Sequence, residues 1–187
     1  MLRQRGIEVI YAIATKGGRG RTGSAKTRLE NLRSRHQLDA AEILGGAKVM
    51  LFDYPDKSLI QFIDLFAEDL KALICEENPN TIFSWDPDYI YNPHPDHQAA
   101  AKSGAIAGSS LNLCYYGTCN PNLMIGYDED VFRVKLRSLK AHQTETPWYY
   151  FPLVKRALIK RQRPQGSAIG FKYAEVFRCD DQTPKFG

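Results

Sequence analysis

His94-Pro95-Asp96-His97 places two imidazoles and a carboxylate in a few residues of chain, and it holds half of the four histidines in the sequence. An imidazole is a natural zinc ligand, and a neighbouring carboxylate can fix which ring nitrogen carries the proton. A second imidazole close to a metal, but not bound to it, can protonate a leaving group or polarise a carbonyl. Pro95 suits the first position of a helix, and Asp96 suits the first turn, where the helix dipole favours an anion. His97 follows His94 by three residues, so both rings can face one pocket at a helix start. The bland alternative is a capped turn with two surface histidines. The strand-like run just upstream, closed by Asp86, favours chemistry over that alternative.

The elements that must position these residues alternate between two hydrophobic periods. Runs 8–15 (EVIYAIAT), 48–54 (KVMLFDY), 81–85 (TIFSW), 113–118 and 173–179 (YAEVFRC) read as strands. Helices are expected over 27–44, stopped by Gly45-Gly46, and over 59–75, where Leu59, Phe62, Ile63, Phe66 and Leu70 recur at helical spacing. Further helices are expected over 95–107, 130–142 and 148–161. Strands and helices in alternation, with short connections, imply an α/β fold: a mostly parallel sheet with helices on both faces. Sites in such sheets form at the C-terminal ends of strands, where the loops after Thr15, Tyr54 and Trp85 all fall.

Bulk properties exclude several classes. A chain of 187 residues with 43% hydrophobic and 25% charged residues suits one soluble domain. The net charge of +4 is compatible with an anionic substrate but too small to argue for nucleic acid. Basic residues cluster from Lys16 to Arg35 and from Lys155 to Arg163, and read as solvated helix faces and loops. No apolar run approaches the length of a membrane span, and the polar first residues carry no apolar signal core, so the expected location is cytoplasmic. Cys75, Cys114, Cys119 and Cys179 form no Cys-x-x-Cys pair and are expected to be reduced thiols. Gly18, Gly20 and Gly23 fit a dinucleotide-binding spacing. Arginines fill the variable positions, however, so a rim loop able to touch a phosphate is the preferred reading. Tyr89, Tyr91, Trp148, Tyr149 and Tyr150 could stack on a sugar ring or simply pack; Tyr91, beside the histidines, is read as functional.

The histidine segment resembles the LmbE-like deacetylases, the family of the N-acetylglucosaminyl-phosphatidylinositol (PIG-L) deacetylases. Thr15-Lys16-Gly17-Gly18 is similar to the family's loop after a strand. Arg35 with Ala40-Ala41 and Leu44-Gly45 is similar to its Arg-x-x-Glu helix, and Phe52 to Asp56 to its Phe-Pro-Asp turn. Lys135 to His142 and Tyr173 to Phe177 match its late helix and its Ala-Glu-x-Phe strand. The resemblance implies a Rossmann-like domain and zinc-dependent hydrolysis of an acetamide on an N-acetylglucosamine-type conjugate. It makes His97 a zinc ligand, His94 and Asp96 catalytic, and Arg35, Asp56, Tyr91 and His142 contacts to a small amino-sugar conjugate. It leaves room for a homo-oligomer.

One family motif is missing. His-Pro-Asp-Asp-Glu after the first strand would supply a His, an Asp and the general base, yet it does not occur here. Residues 2–6 look like the last turn of a helix with its C-terminal glycine. The expectation is therefore a single LmbE-like domain over 1–187 that is N-terminally incomplete, lacking its first strand–helix unit. Such a chain could be a fragment, an inactive relative, or completed by another chain. The alternatives to a deacetylase are a non-catalytic carbohydrate-binding relative or degenerate pseudoenzyme and, through the glycine loop, a nucleotide-dependent enzyme.

Overall fold

The computed structural model describes residues 6–19, 22–88 and 94–180. Among the described residues, six strands and five α-helices follow one another: β1 (Ile10–Ile13), α1 (Gly23–Ile43), β2 (Lys48–Leu51), α2 (Ile63–Glu77), β3 (Thr81–Trp85), α3 (Pro95–Ala107), β4 (Asn112–Tyr116), β5 (Leu123–Tyr127), α4 (Glu129–Ala141), α5 (Phe151–Ser167) and β6 (Tyr173–Cys179). This is a mixed α/β chain of Rossmann-like type. No described helix is long and apolar enough to cross a membrane. The chain divides into two compact units, residues 1–51 with 124–175, and residues 52–123 with 176–187.

In the first unit, β1 and β2 pair in parallel from Ile10↔Lys48 to Ile13↔Leu51. Helix α1 packs on β2 and on α4. It begins four residues earlier than the sequence predicts, and Gly45 and Gly46 leave it at φ 107° and 74°. Helix α4 carries Glu129 and Asp130 in its first turn and Lys140 in its last, the arrangement that complements a helix dipole. Tyr127, Phe132 and Tyr173 form the core of this unit, with the Phe132 and Tyr173 rings stacked at 4.2 Å.

In the second unit, β3 pairs with β4 in parallel and β4 pairs with β6 antiparallel. Helix α3 packs on β3 and α2 packs on α3. Small residues make the α3–β3 approach close. A Cβ at Gly104 would stand 2.9 Å from Ser84 Oγ, and one at Gly108 would stand 2.8 Å from an Ile82 methyl. Ala99 and Ala101 are fully buried on the same helix.

Three expectations change. The strands fall into two sheets, β1-β2 and β3-β4-β6-β5, and β6 runs against β4. Strand β5 escapes a sequence reading because it is short and Gly126 interrupts it; the glycine is required because a Cβ there would strike the Phe171 ring. Cys114 and Cys179 are not reduced thiols. They sit directly opposite on β4 and β6, both buried, and form a disulfide with Cα atoms 4.1 Å apart. The register brings the sulfurs together, and sequence separation gives no hint of it. Cys75 and Cys119 remain free and exposed.

Candidate metal and catalytic site

The site is built on the loop after β2 and on the start of α3, both in the second unit. Phe52 and Tyr54 anchor the loop on Phe66, with ring centroids at 5.3 and 5.2 Å. The chain then turns through Lys57, a non-glycine residue at φ 62°, and enters a 3-10 turn at Leu59–Phe62. Pro95 is the first residue of α3 and His94 its N-cap, as the sequence predicts. Asp96, only 6% exposed, accepts the Lys57 N–H at 2.6 Å and the Leu59 N–H at 3.1 Å. Its carboxylate therefore ties the loop to the helix and brings Asp56 toward His94. One ligand atom from each of Asp56, His94 and Asp96 lies within 4.8 Å of the others.

The two imidazoles have different surroundings. His94 Nδ1 accepts the Asp96 N–H at 3.3 Å, which leaves Nε2 to carry the proton in the neutral ring. Nε2–H is then a donor. His97 lies in a stack, with its ring 4.7 Å from His94 on one side and 4.7 Å from Trp85 on the other. Burial pushes its pKa below the ordinary value, the nearby His94 adds to this, and Asp96 opposes it. A neutral His97 at pH 7 follows.

Asp86, at the end of β3, is held by Arg178, which no motif singles out. Arg178 Nε and Nη2 donate to its two oxygens at 3.0 and 2.7 Å, and Nη2 reaches Asp88 at 3.2 Å. The guanidinium also lies over the Tyr115 ring at 4.5 Å. Burial alone would raise the Asp86 pKa. The hydrogen bonds from Arg178, Thr118 and the Asp88 N–H, with the Arg178 charge, overcome this and pull it down to about 2. Arg178 thus fixes the strand end from which the chain leaves toward His94. Its alternation with Phe177 and Cys179 marks it as facing away from them, but nothing in sequence names a partner 92 residues away.

The first unit holds a cavity of about 310 Å³, lined by Thr15, Lys16, Arg33, Gln37, His142 and Glu145 among others. Arg33 Nη1 donates to the Gly17 carbonyl, and Nε pairs with Glu145 at 2.7 Å. Burial lowers the His142 pKa, Glu145 opposes this, and His36 reinforces it. His142 is therefore placed in a cavity, whereas Arg35 is exposed on α1 and does not line it. Arg33, two residues earlier, lines it. Its spacing of four from Gln37 is the signal that could have found it, since residues so spaced share a helix face and Arg35 does not. Tyr91, with Tyr89, lies outside the described residues, as does part of the glycine loop.

Residues 1–107 match the family model described as PIG-L, GlcNAc-PI de-N-acetylase. The chain belongs to the PIG-L (LmbE-like) family. Among PIG-L relatives, diacetylchitobiose deacetylase of Thermococcus kodakarensis is 28% identical over 95% of this chain and 74% of its own length. A Bacillus cereus protein described as a probable N-acetyl-alpha-D-glucosaminyl L-malate deacetylase is 27% identical over 78% of this chain and 74% of its own. The solved N,N'-diacetylchitobiose deacetylase of Pyrococcus horikoshii superposes with a TM-score of 0.85 at 24% identity. The match covers 98% of this chain and 75% of that one, and shows that the two share a fold. The PIG-L segment ends with α3, so it contains the whole loop-and-helix site.

Proposed function

We propose that this PIG-L chain is a zinc-dependent deacetylase that hydrolyses the acetamide of an N-acetylglucosamine-type conjugate. Its support is the convergence of Asp56, His94 and Asp96 donor atoms within 4.8 Å at the start of α3, together with the deacetylase descriptions of its relatives. Two carboxylates and an imidazole are a donor set that suits zinc. The imidazole of that cluster is His94; the family resemblance instead makes His97 the zinc ligand, and its ring stacks 4.7 Å from that of His94. Bound there, zinc supplies Lewis-acid polarisation of a carbonyl and lowers the pKa of water. His94 presents Nε2–H, which can donate to the oxygen of the acetamide as it gains charge or to the departing amine. Asp96, singled out by the sequence as catalytic, acts here as a positioning residue: its two backbone hydrogen bonds set where His94 and Asp56 stand. Arg35, Asp56, Tyr91 and His142 are proposed as contacts to the sugar. The two compact units are taken as one deacetylase domain. The proposal includes a cytoplasmic location, against which the Cys114–Cys179 bridge weighs, because such bridges are uncommon in reducing compartments.

Binding without hydrolysis is the second reading, and Asp96 favours it. Both of its oxygens accept backbone N–H groups, so it is poorly placed to serve as a general base. Incubation of the zinc-supplemented protein with N,N'-diacetylchitobiose, followed by an acetate assay, separates the two. Hydrolysis predicts acetate release that His94→Ala abolishes. Saturable sugar binding with no acetate would reject hydrolysis and leave the binding reading.

A further inference from the structure

Helix α5 and the turn before it carry a surface that the proposed reaction does not use. From Thr146 to Ala174 the chain holds six Lys or Arg residues and no Asp or Glu, which leaves 19 basic and 21 acidic residues, a net of −2, for the rest. The positive charge of the molecule is thus concentrated on one element. Among the described residues, Lys155, Arg156, Lys160, Arg161 and Arg163 form no ion pair with an acid.

The same surface is apolar at its centre. Trp148 is 86% exposed, Tyr149 68% and Leu153 58%. Leu153, Arg156, Ala157, Lys160 and Arg163 recur at spacings of three and four, and all are exposed. Leu158 and Ile159 face the other way, against the Tyr127–Phe132–Tyr173 core. The outer face therefore sets Leu153 and Ala157 among long cationic side chains and is preceded by three exposed aromatics, Trp148, Tyr149 and Tyr150. Long cations can lay their methylenes beside an apolar layer while their charges stay at its polar edge, and Trp and Tyr favour that same boundary. A second copy of this chain is a poor occupant in a symmetric pairing, because it would bring five cations against five.

We propose that this α5 face docks on an anionic lipid surface, with Trp148, Tyr149 and Leu153 entering the headgroup boundary and the α5 cations contacting acidic headgroups. Flotation of the purified chain with phosphatidylcholine vesicles, with and without about 30% phosphatidylserine, tests this. Partition should be at least about tenfold stronger onto the acidic vesicles and should fall steeply with added salt. Lys160→Gln combined with Arg163→Gln should weaken it about tenfold or more at an unchanged melting temperature, since both side chains are exposed. Trp148→Ala should weaken it as well. Equal partition onto both vesicle types, or none, would overturn the proposal. So would Trp148-dependent self-association without vesicles, which would give the face to a second copy, or retention by duplex DNA alone.

Discussion

Replacing Arg178 by alanine should destabilise the unit that carries the site, with a characteristic pH dependence. The Asp86 side chain is 3% exposed and that of Arg178 26%. Asp86 falls from an ordinary 3.8 to about 2, against the effect of burial. At about 1.4 kcal/mol per pH unit that difference is worth about 2 kcal/mol, and solvent at Arg178 reduces it to about 1–2 kcal/mol. The variant also strands a buried carboxylate with Thr118 and the Asp88 N–H as its remaining donors, which takes the total to about 2–3 kcal/mol near neutral pH. For a chain of this size the melting temperature should drop by about 5–10 °C. Because the folded-state pKa is depressed, the contribution of Asp86 is complete above its ordinary pKa and is lost as pH falls through it toward about 2. In the variant, burial raises that pKa, so protonation relieves the stranded charge. The gap between the two proteins should narrow from about pH 7 to about pH 3.5, read from melts followed by circular dichroism. A melting temperature changed by less than about 1 °C, or a gap that stays constant with pH, would refute the reasoning.

Three other outcomes follow from the packing and the bridge. Gly104→Val should cost about 1–3 kcal/mol in urea denaturation, because the new side chain meets Ser84 on the closely packed β3. Asp96→Asn should cost about 1–2 kcal/mol and should selectively lower hydrogen-exchange protection at the Lys57 and Leu59 amides, which donate to its carboxylate. Dithiothreitol should lower the melting temperature, since the Cys114–Cys179 bridge closes a span of 65 residues; loop entropy sets about 4 kcal/mol as the scale. No shift on reduction would mean that the two thiols are unbonded in solution.

What the sequence disclosed and what it hid divide along local and non-local lines. Pro95 and Asp96 at a helix start are local signals, and α3 begins where they place it. The apolar spacing over 59–75 is equally local, yet it could not separate the 3-10 turn at Leu59–Phe62 from the helix that follows. That distinction depends on Asp96 drawing in the Lys57 and Leu59 amides from 39 and 37 residues away. The Cys114–Cys179 bridge and the Arg178–Asp86 pair depend on the antiparallel placement of β6 beside β4, which strand–helix alternation does not encode. Arg33 and Arg35 occupy different faces of α1, and only Arg33 lines the cavity of the first unit, a placement that sequence spacing alone does not show.

The claim that a metal site forms at the start of α3 is tested most directly by zinc competition against a chromophoric chelator, with the wild-type chain, His97→Ala and His94→Ala compared. About one zinc per chain is expected in the wild type, with loss of that zinc in His97→Ala and retention in His94→Ala. Loss in His94→Ala with retention in His97→Ala would exchange the roles of the two rings. No zinc bound by the wild type, or binding indifferent to both substitutions, would contradict the claim.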